Sequence, residues 1–381
     1  VFFLKTNMFM AGGAQRSNDH PINGFRDSVS DVKFQPSQNN MQPDMLACAS
    51  WDNSVRLFSV QRNQQSNQVQ VQPGPQHQQK APVLCCAWGH PNTPLQDMIF
   101  TGSCDNTYTM WNYKQNKSTP IRAHQQPVSC IGTVKVNNGQ TNLVVTAGWD
   151  KFLKYWDIRQ PQPAYQIQLP ERAYCMDTKG QMLVVGCAGQ AFNVYNLANP
   201  QQVFKTVNTK LKSQPRCISI MNDSTGFCAG SIEGRVAVEY LNPQPGNKAA
   251  ECFAFKCHRE SVNMNGRKMS KVYPVNAISF NAHNGVATAG ADGIIHIWNT
   301  KERTKIKSLP KCPTPSCITS IAYNTASSIL VYANSYDWHQ GRKGFNQQMQ
   351  NTVYVHCVQQ DEIKSPQKNN NTNTGYQNRR W

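Results

Sequence analysis

The sequence contains no uninterrupted apolar run of membrane-spanning length, so membrane insertion through a helix is excluded. It has no stretch of sustained helical period, and none of its 14 cysteines forms a Cys-x-x-Cys pair, which argues against a zinc site. A Gly-rich loop carrying Lys, a G-x-S-x-G elbow and an H-E-x-x-H helix are all missing, so phosphoryl transfer, serine hydrolysis and zinc proteolysis lack their machinery. No catalytic residue, cofactor, metal or small-molecule substrate is therefore expected. Acidic residues are scarce: 21 Asp and Glu face 38 Lys and Arg, a net charge of +17. Such an excess favours an acidic partner, whether nucleic acid, an acidic protein segment or a membrane surface. Val1 to Met10 is apolar but has neither a basic leader nor a small-residue cleavage site, so no secretory signal is expected. Cys48, Cys130, Cys187 and Cys228 sit inside apolar runs, where a thiol behaves as a small hydrophobe, and this fits a reducing compartment, cytoplasm or nucleus.

What the 381 residues do contain is a repeat. Seven times an apolar run ends in small residues and a turn: LACASWD at Leu46–Asp52, IFTGSCD at Ile99–Asp105, VVTAGWD at Val144–Asp150, LVVGCAG at Leu183–Gly189, FCAGSIE at Phe227–Glu233, VATAGAD at Val286–Asp292 and LVYANSYD at Leu330–Asp337. The mean spacing, about 47 residues, suits a four-stranded propeller blade. A strand-like run precedes each turn unit, from Val29–Phe34 to Cys317–Tyr323, and a third run ending in an aromatic usually follows, as at Trp111, Trp156 and Trp298. The reading is an all-β, seven-bladed WD40 propeller over residues 20–360, with an N-terminal extension at 1–19 and a polar, disordered tail at 361–381. The last unit lacks an outer strand, and the segment around Pro21–Phe25 is expected to supply it. Gln61–Gln79, dominated by Gln and Asn, is expected to form a long loop.

The turn carboxylates Asp52, Asp105, Asp150, Asp292 and Asp337 are assigned a mechanical role, accepting hydrogen bonds from local backbone and from a His in the loop entering the blade. His77 with Asp105, His124 with Asp150 and His258 with Asp292 fit that arrangement. Blade four has Gly189 at the Asp position and is expected to be held by packing instead.

Several stretches are more specific than a generic repeat. GFCAGSIEGRVAVEYLNP at 226–243, FAFKCHR at 253–259, LPERAYC at 169–175, GWDKFLKYWDIR at 148–159 and SYDW at 335–338 resemble the WD40 mRNA export factors of the nuclear pore. The resemblance runs from about Ser28 to Val358. It implies a non-enzymatic adaptor that binds the GLEBS hairpin of a Phe-Gly nucleoporin and, in that complex, single-stranded RNA or messenger ribonucleoprotein. It also implies residence in the nucleus, at the nuclear pore complex of the envelope, and in the cytoplasm. A related mitotic-checkpoint propeller that docks GLEBS-like segments of checkpoint kinases is the alternative, and an unrelated scaffold the third.

Asp52, Asp150, Arg235 and Asp337 are expected to ring one face. Arg235 looks like the family's central-pocket arginine, which receives a glutamate of the hairpin; an internal pair with Glu233 is the competing role. Glu233, and Lys256, His258 and Arg259 of the FKCHR stretch, join the expected nucleoporin contacts. Trp51, Trp149 and Trp338, each beside a turn Asp, serve either as apolar anchors or as rim packing. Arg303 and Lys305 align with basic residues that the family uses for nucleic acid, and Lys301 and Lys307 extend the patch. Alternate cations on an edge strand also guard against sheet-to-sheet pairing.

Overall fold

The computed structural model describes residues 19–36, 43–63, 68–136, 139, 141–189, 191–264, 266–312 and 317–363. The described strands form seven four-stranded antiparallel sheets and one separate two-stranded ribbon. Blade 1 holds Val29–Phe34, Asp44–Ser50, Ser54–Arg62 and Val69–Gln78; blade 5 holds Pro215–Ile220, Gly226–Ser231, Arg235–Tyr240 and Phe253–Lys256. Blade 6 comprises Val275–Phe280, Gly285–Gly290, Ile295–Asn299 and Thr304–Ser308. In blade 7 the first three strands, Ile318–Tyr323, Ile329–Asn334 and Asn351–Cys357, are completed by His20–Phe25, which pairs antiparallel to the third. The ring thus closes with chain from both ends, as the truncated last repeat requires.

Closure follows from burial. Each sheet is apolar on both faces, and only neighbouring sheets can cover both, so the core lies between blades. At the seam, Ile22 and Phe25 pack with Val29, Val32 and Leu46 of blade 1 and Val331 and Val353 of blade 7. Blade 4, without its turn Asp, is filled by Phe192, which meets Phe227 of blade 5 with ring centroids 5.4 Å apart.

All seven first strands carry a register irregularity at the same place, one residue after the start: Val29/Asp31, Val83/Cys85, Val128/Cys130, Ala173/Cys175, Pro215/Cys217, Val275/Ala277 and Ile318/Ser320. A bulge frees one residue from the ladder and turns its side chain aside. Ser30 donates to Val83 O, Ser129 to Ala173 O, Asn276 to Ile318 O and Thr319 to Val29 O. Each such bond ties the first strand of one blade to that of the next, and Thr319 does so across the closing seam.

Two expectations are corrected. Gln61–Gln79 is mostly strand, with Ser54–Arg62 running on to Val69–Gln78. Val69 and Val71 alternate with Gln and pack on the core, and this period of two outweighs the polar composition. Residues 360–363 form a helical turn whose Glu362 is buried, so order continues into the stretch assigned to the tail. The remainder of the tail, 364–381, most of the N-terminal extension, 1–18, and residues 64–67 lie outside the described residues. No described helix is long and apolar enough to cross a membrane.

Candidate interaction face

Turns between second and third strands and the links entering each blade emerge at the same end of the sheets. Their backbones are bonded together: Trp51 N donates to Ser28 O, Trp149 N to Pro127 O, Ile232 N to Gln214 O and Ser335 N to Cys317 O. Asp52, Asp150, Glu233, Asp292 and Asp337 therefore share one face.

Two blades contain the expected His–Asp joint. His124 Nδ1 donates to Asp150 at 2.8 Å, its Nε2 meets Thr146 Oγ1 at 2.8 Å, and Trp156 Nε1 donates to the same hydroxyl at 2.9 Å. His258, Asp292, Thr288 and Trp298 repeat the arrangement at 2.9 and 3.0 Å. A Cβ on Gly148 or Gly290 would fall within 3 Å of the His ring, so the small residue before the turn makes room for the joint. Burial works to raise the Asp150 and Asp292 carboxyls, and the imidazole and backbone N–H bonds together outweigh it, holding both below the usual carboxylate range.

The third expected joint is absent. His77 lies on the outer strand of blade 1 and stacks on Trp111, ring centroids 5.4 Å apart. Gln79 takes the His position, donating to Thr101 Oγ1 at 2.6 Å and accepting from Ser103 Oγ at 2.7 Å. Asp105 accepts instead from the Thr107 backbone and hydroxyl. The signal was available: counted back four residues from the strand starts Val83 and Val128, Gln79 and His124 occupy equivalent places. His258, expected to touch a partner, is corrected to a structural residue, since its ring is 1% exposed and both nitrogens are committed.

Arg235 begins the third strand of blade 5. Its Nε lies 3.3 Å from Glu233 Oε1, and its side chain stays about a quarter exposed. Lys256 is directly opposite on the outer strand, and Arg259 donates to the carbonyls of Glu233 and Gly234. Three cations thus gather at this turn, with Glu233 the acid beside Arg235. A second arginine, Arg216, is the bulge residue of blade 5's first strand. It crosses toward Asp337 of blade 7, where its NH2 lies 3.5 Å from the backbone oxygen and 3.9 Å from Oδ2. Sequence reasoning missed Arg216 because its distinction is the bulge.

Trp51, Trp149 and Trp338 are 44%, 39% and 51% exposed, and Ile232, Val272 and Phe345 add apolar surface beside the turns. Trp338 stacks on Phe345, with centroids 5.3 Å apart and planes at 11°. An open groove beside Trp149 is lined by Gln126, Asp150, Lys151 and Arg172. Asp337, fully enclosed, accepts from Asn276 at 2.7 Å and is bonded by His339 Nδ1 at 2.5 Å. Cys317, Asp337 and His339 converge within 4.8 Å, but the bonds already made describe a polar joint.

The basic patch of blade 6 is thinner than expected. Arg303 pairs with Glu251 at 2.9 Å and lies 4.3 Å over the Phe253 ring, while Lys307 pairs with Asp361 and Glu362. Lys301 and Lys305 are exposed, Lys305 with its Nζ 5.9 Å from the Trp298 ring centre.

Residues 18–59, 68–112, 115–157 and 268–299 match the WD domain, G-beta repeat model. "mRNA export factor GLE2" of Chaetomium thermophilum is 35% identical over 339 residues, covering 89% of each chain. "Protein Rae1" of Drosophila melanogaster is 36% identical over 93% of this chain and 99% of its own, and the "mRNA export factor" of Danio rerio is 38% identical over 86% of each. Among solved structures, "Structure of U3-55K" superposes with a TM-score of 0.70 over 90% of this chain and 99% of that one at 14% identity, a likeness of fold alone. With its seven blades, its repeat and these relatives along nearly its whole length, the chain belongs to the WD40 family of mRNA export factors.

Proposed function

We propose that this protein is a non-enzymatic adaptor of mRNA export at the nuclear pore, acting in the nucleus and at the envelope and passing to the cytoplasm. Its turn face grips the acidic GLEBS hairpin of a Phe-Gly nucleoporin, and the outer rim of blade 6 contacts single-stranded RNA. The observation that carries this reading is the Arg235 cluster: an arginine paired with Glu233 yet about a quarter exposed, with Lys256 opposite it and Arg259 bonded to the carbonyls of the same turn, beside exposed apolar side chains. A carboxylate arriving from a partner would displace or share Glu233 and gain a partly desolvated, charge-assisted pair. The exposed tryptophans would supply the area on which interface energy concentrates.

A pull-down with a nucleoporin GLEBS fragment tests it. Arg235→Ala is expected to weaken capture by about 2 to 5 kcal/mol, tens- to thousands-fold. Capture that is undiminished would reject the pocket. For RNA, Lys301→Glu with Lys305→Glu is expected to lower affinity for an oligouridine probe and to flatten its salt dependence. An unchanged salt slope would remove the rim from the RNA surface.

A further inference from the structure

Between blades 5 and 6 the chain leaves the ring as a two-stranded ribbon, Arg259–Met264 paired with Arg267–Val272 and turning at Gly266, whose φ is +75°. Every other described strand lies in a four-stranded sheet, whereas this pair forms a sheet by itself. All six residues of its second strand are exposed, Met269 at 52% and Val272 at 37%. An isolated ribbon is marginal in water, and its outer edge is a row of backbone donors and acceptors with no sheet partner.

The base of the ribbon is fixed. Tyr273 N donates to His258 O, Tyr273 Oη donates to Glu260 at 3.2 Å, Lys271 lies 5.1 Å over the Tyr273 ring, and Arg259 grips the carbonyls of Glu233 and Gly234. The ribbon is therefore aimed, beside the Arg235 cluster, while its upper part is left uncovered.

We propose that the outer edge of Arg267–Val272 takes an extended acidic protein segment as a third strand. Arg267, Lys268 and Lys271 give this strand three cations and no acid, the ribbon's Glu260 standing opposite Lys271 on the other strand, so a second copy of it is repelled and an acidic strand attracted. Met269 and Val272 point to opposite faces and offer apolar contact to an incoming strand that alternates acidic and apolar residues. The ribbon's strands hold no aromatic ring on which a base could stack, which favours a peptide over single-stranded RNA. The proposal deepens the adaptor reading, since a segment whose carboxylate reaches Arg235 passes this edge.

The full chain would be given, separately, a nucleoporin GLEBS fragment, a synthetic peptide alternating Glu with Val and Thr, that peptide with N-methylated backbone amides, and oligouridine. The readouts are amide hydrogen exchange over 267–272 and affinity. The expected result is at least tenfold protection of alternate amides by an acidic peptide, lost on N-methylation, and at least a tenfold weaker affinity for R267E/K268E. These exposed positions can be reversed without disturbing the core. Unchanged exchange in the complex, or equal binding by the charge-reversed variant, overturns the proposal; so does protection by oligouridine alone. If the synthetic peptide protects the edge but the GLEBS fragment is not captured, the ribbon stands and the adaptor reading falls. If the fragment is captured through Arg235 with the edge exchanging freely, the reverse holds.

Discussion

His77 and His124 look interchangeable in the sequence, each followed by two glutamines and a short run into a first strand, yet only His124 reaches its turn carboxylate. The deciding quantity is distance from the strand start, because the joint is built against a fixed Thr hydroxyl. In blade 2 that hydroxyl is met by the amide of Gln79, which can both donate and accept. His258→Ala would strand Asp292 and Thr288 in a buried site, and roughly 3 kcal/mol of stability is expected to be lost. Gln79→Ala, with only neutral groups left behind, is expected to cost about 1 kcal/mol. Chemical denaturation at neutral pH measures both, and the order of the two effects is the check. Glu233→Gln removes the internal competitor of Arg235 and is expected to tighten GLEBS binding rather than weaken it, read by calorimetry.

Among the elements, the closing strand is held by more than its ladder. His356, on the third strand of blade 7, is bonded by Asp19 at 2.6 Å on one side and Glu362 at 2.9 Å on the other, and Lys307 pairs with Glu362 from blade 6. Burial opposes charging the imidazole, but the two carboxylates outweigh it and raise its pKa from 6.5 to about 9. A group raised on folding contributes stability that is complete below the unfolded value and lost as pH climbs through the folded one. Thermal stability is therefore expected to fall between about pH 6.5 and pH 9, by on the order of 3 kcal/mol from this group. His356→Ala should flatten that limb of the profile; an unaltered profile would place the pH dependence elsewhere. The ribbon belongs to this scale too: two short strands turning at Gly266 form a sheet by themselves, an addition that the seven-fold repeat does not contain.

For the whole molecule, stability depends on closing a circle whose last sheet is built from both chain ends. Phe25 is buried at the seam against Phe58, with ring centroids 6.4 Å apart, and Arg56 lies 4.7 Å over its ring. Phe25→Ala is expected to cost about 3 to 5 kcal/mol and to broaden the unfolding transition, because blades 7 and 1 lose each other before the rest of the ring opens. Calorimetry would reveal it; an unbroadened transition with a small shift would mean that the seam is not the weak point. The charge of +17 belongs to the same scale, and it favours acidic partners without choosing among them.

Blade number, strand order within each blade and the capture of Pro21–Phe25 by the last sheet were fixed by local periodicity and by one missing strand, since side-chain alternation and turn chemistry act over a few residues. The stitches between first strands, the crossing of Arg216 to Asp337 and the pairing of Arg303 with Glu251 and of Lys307 with Asp361 were decided by tertiary structure alone. The last three join residues 121, 52 and 54 positions apart, brought together by blade geometry, and no window of sequence contains both partners. That is why composition gave the sign of the surface charge, while only the folded ring determined which cations remain free to meet a partner.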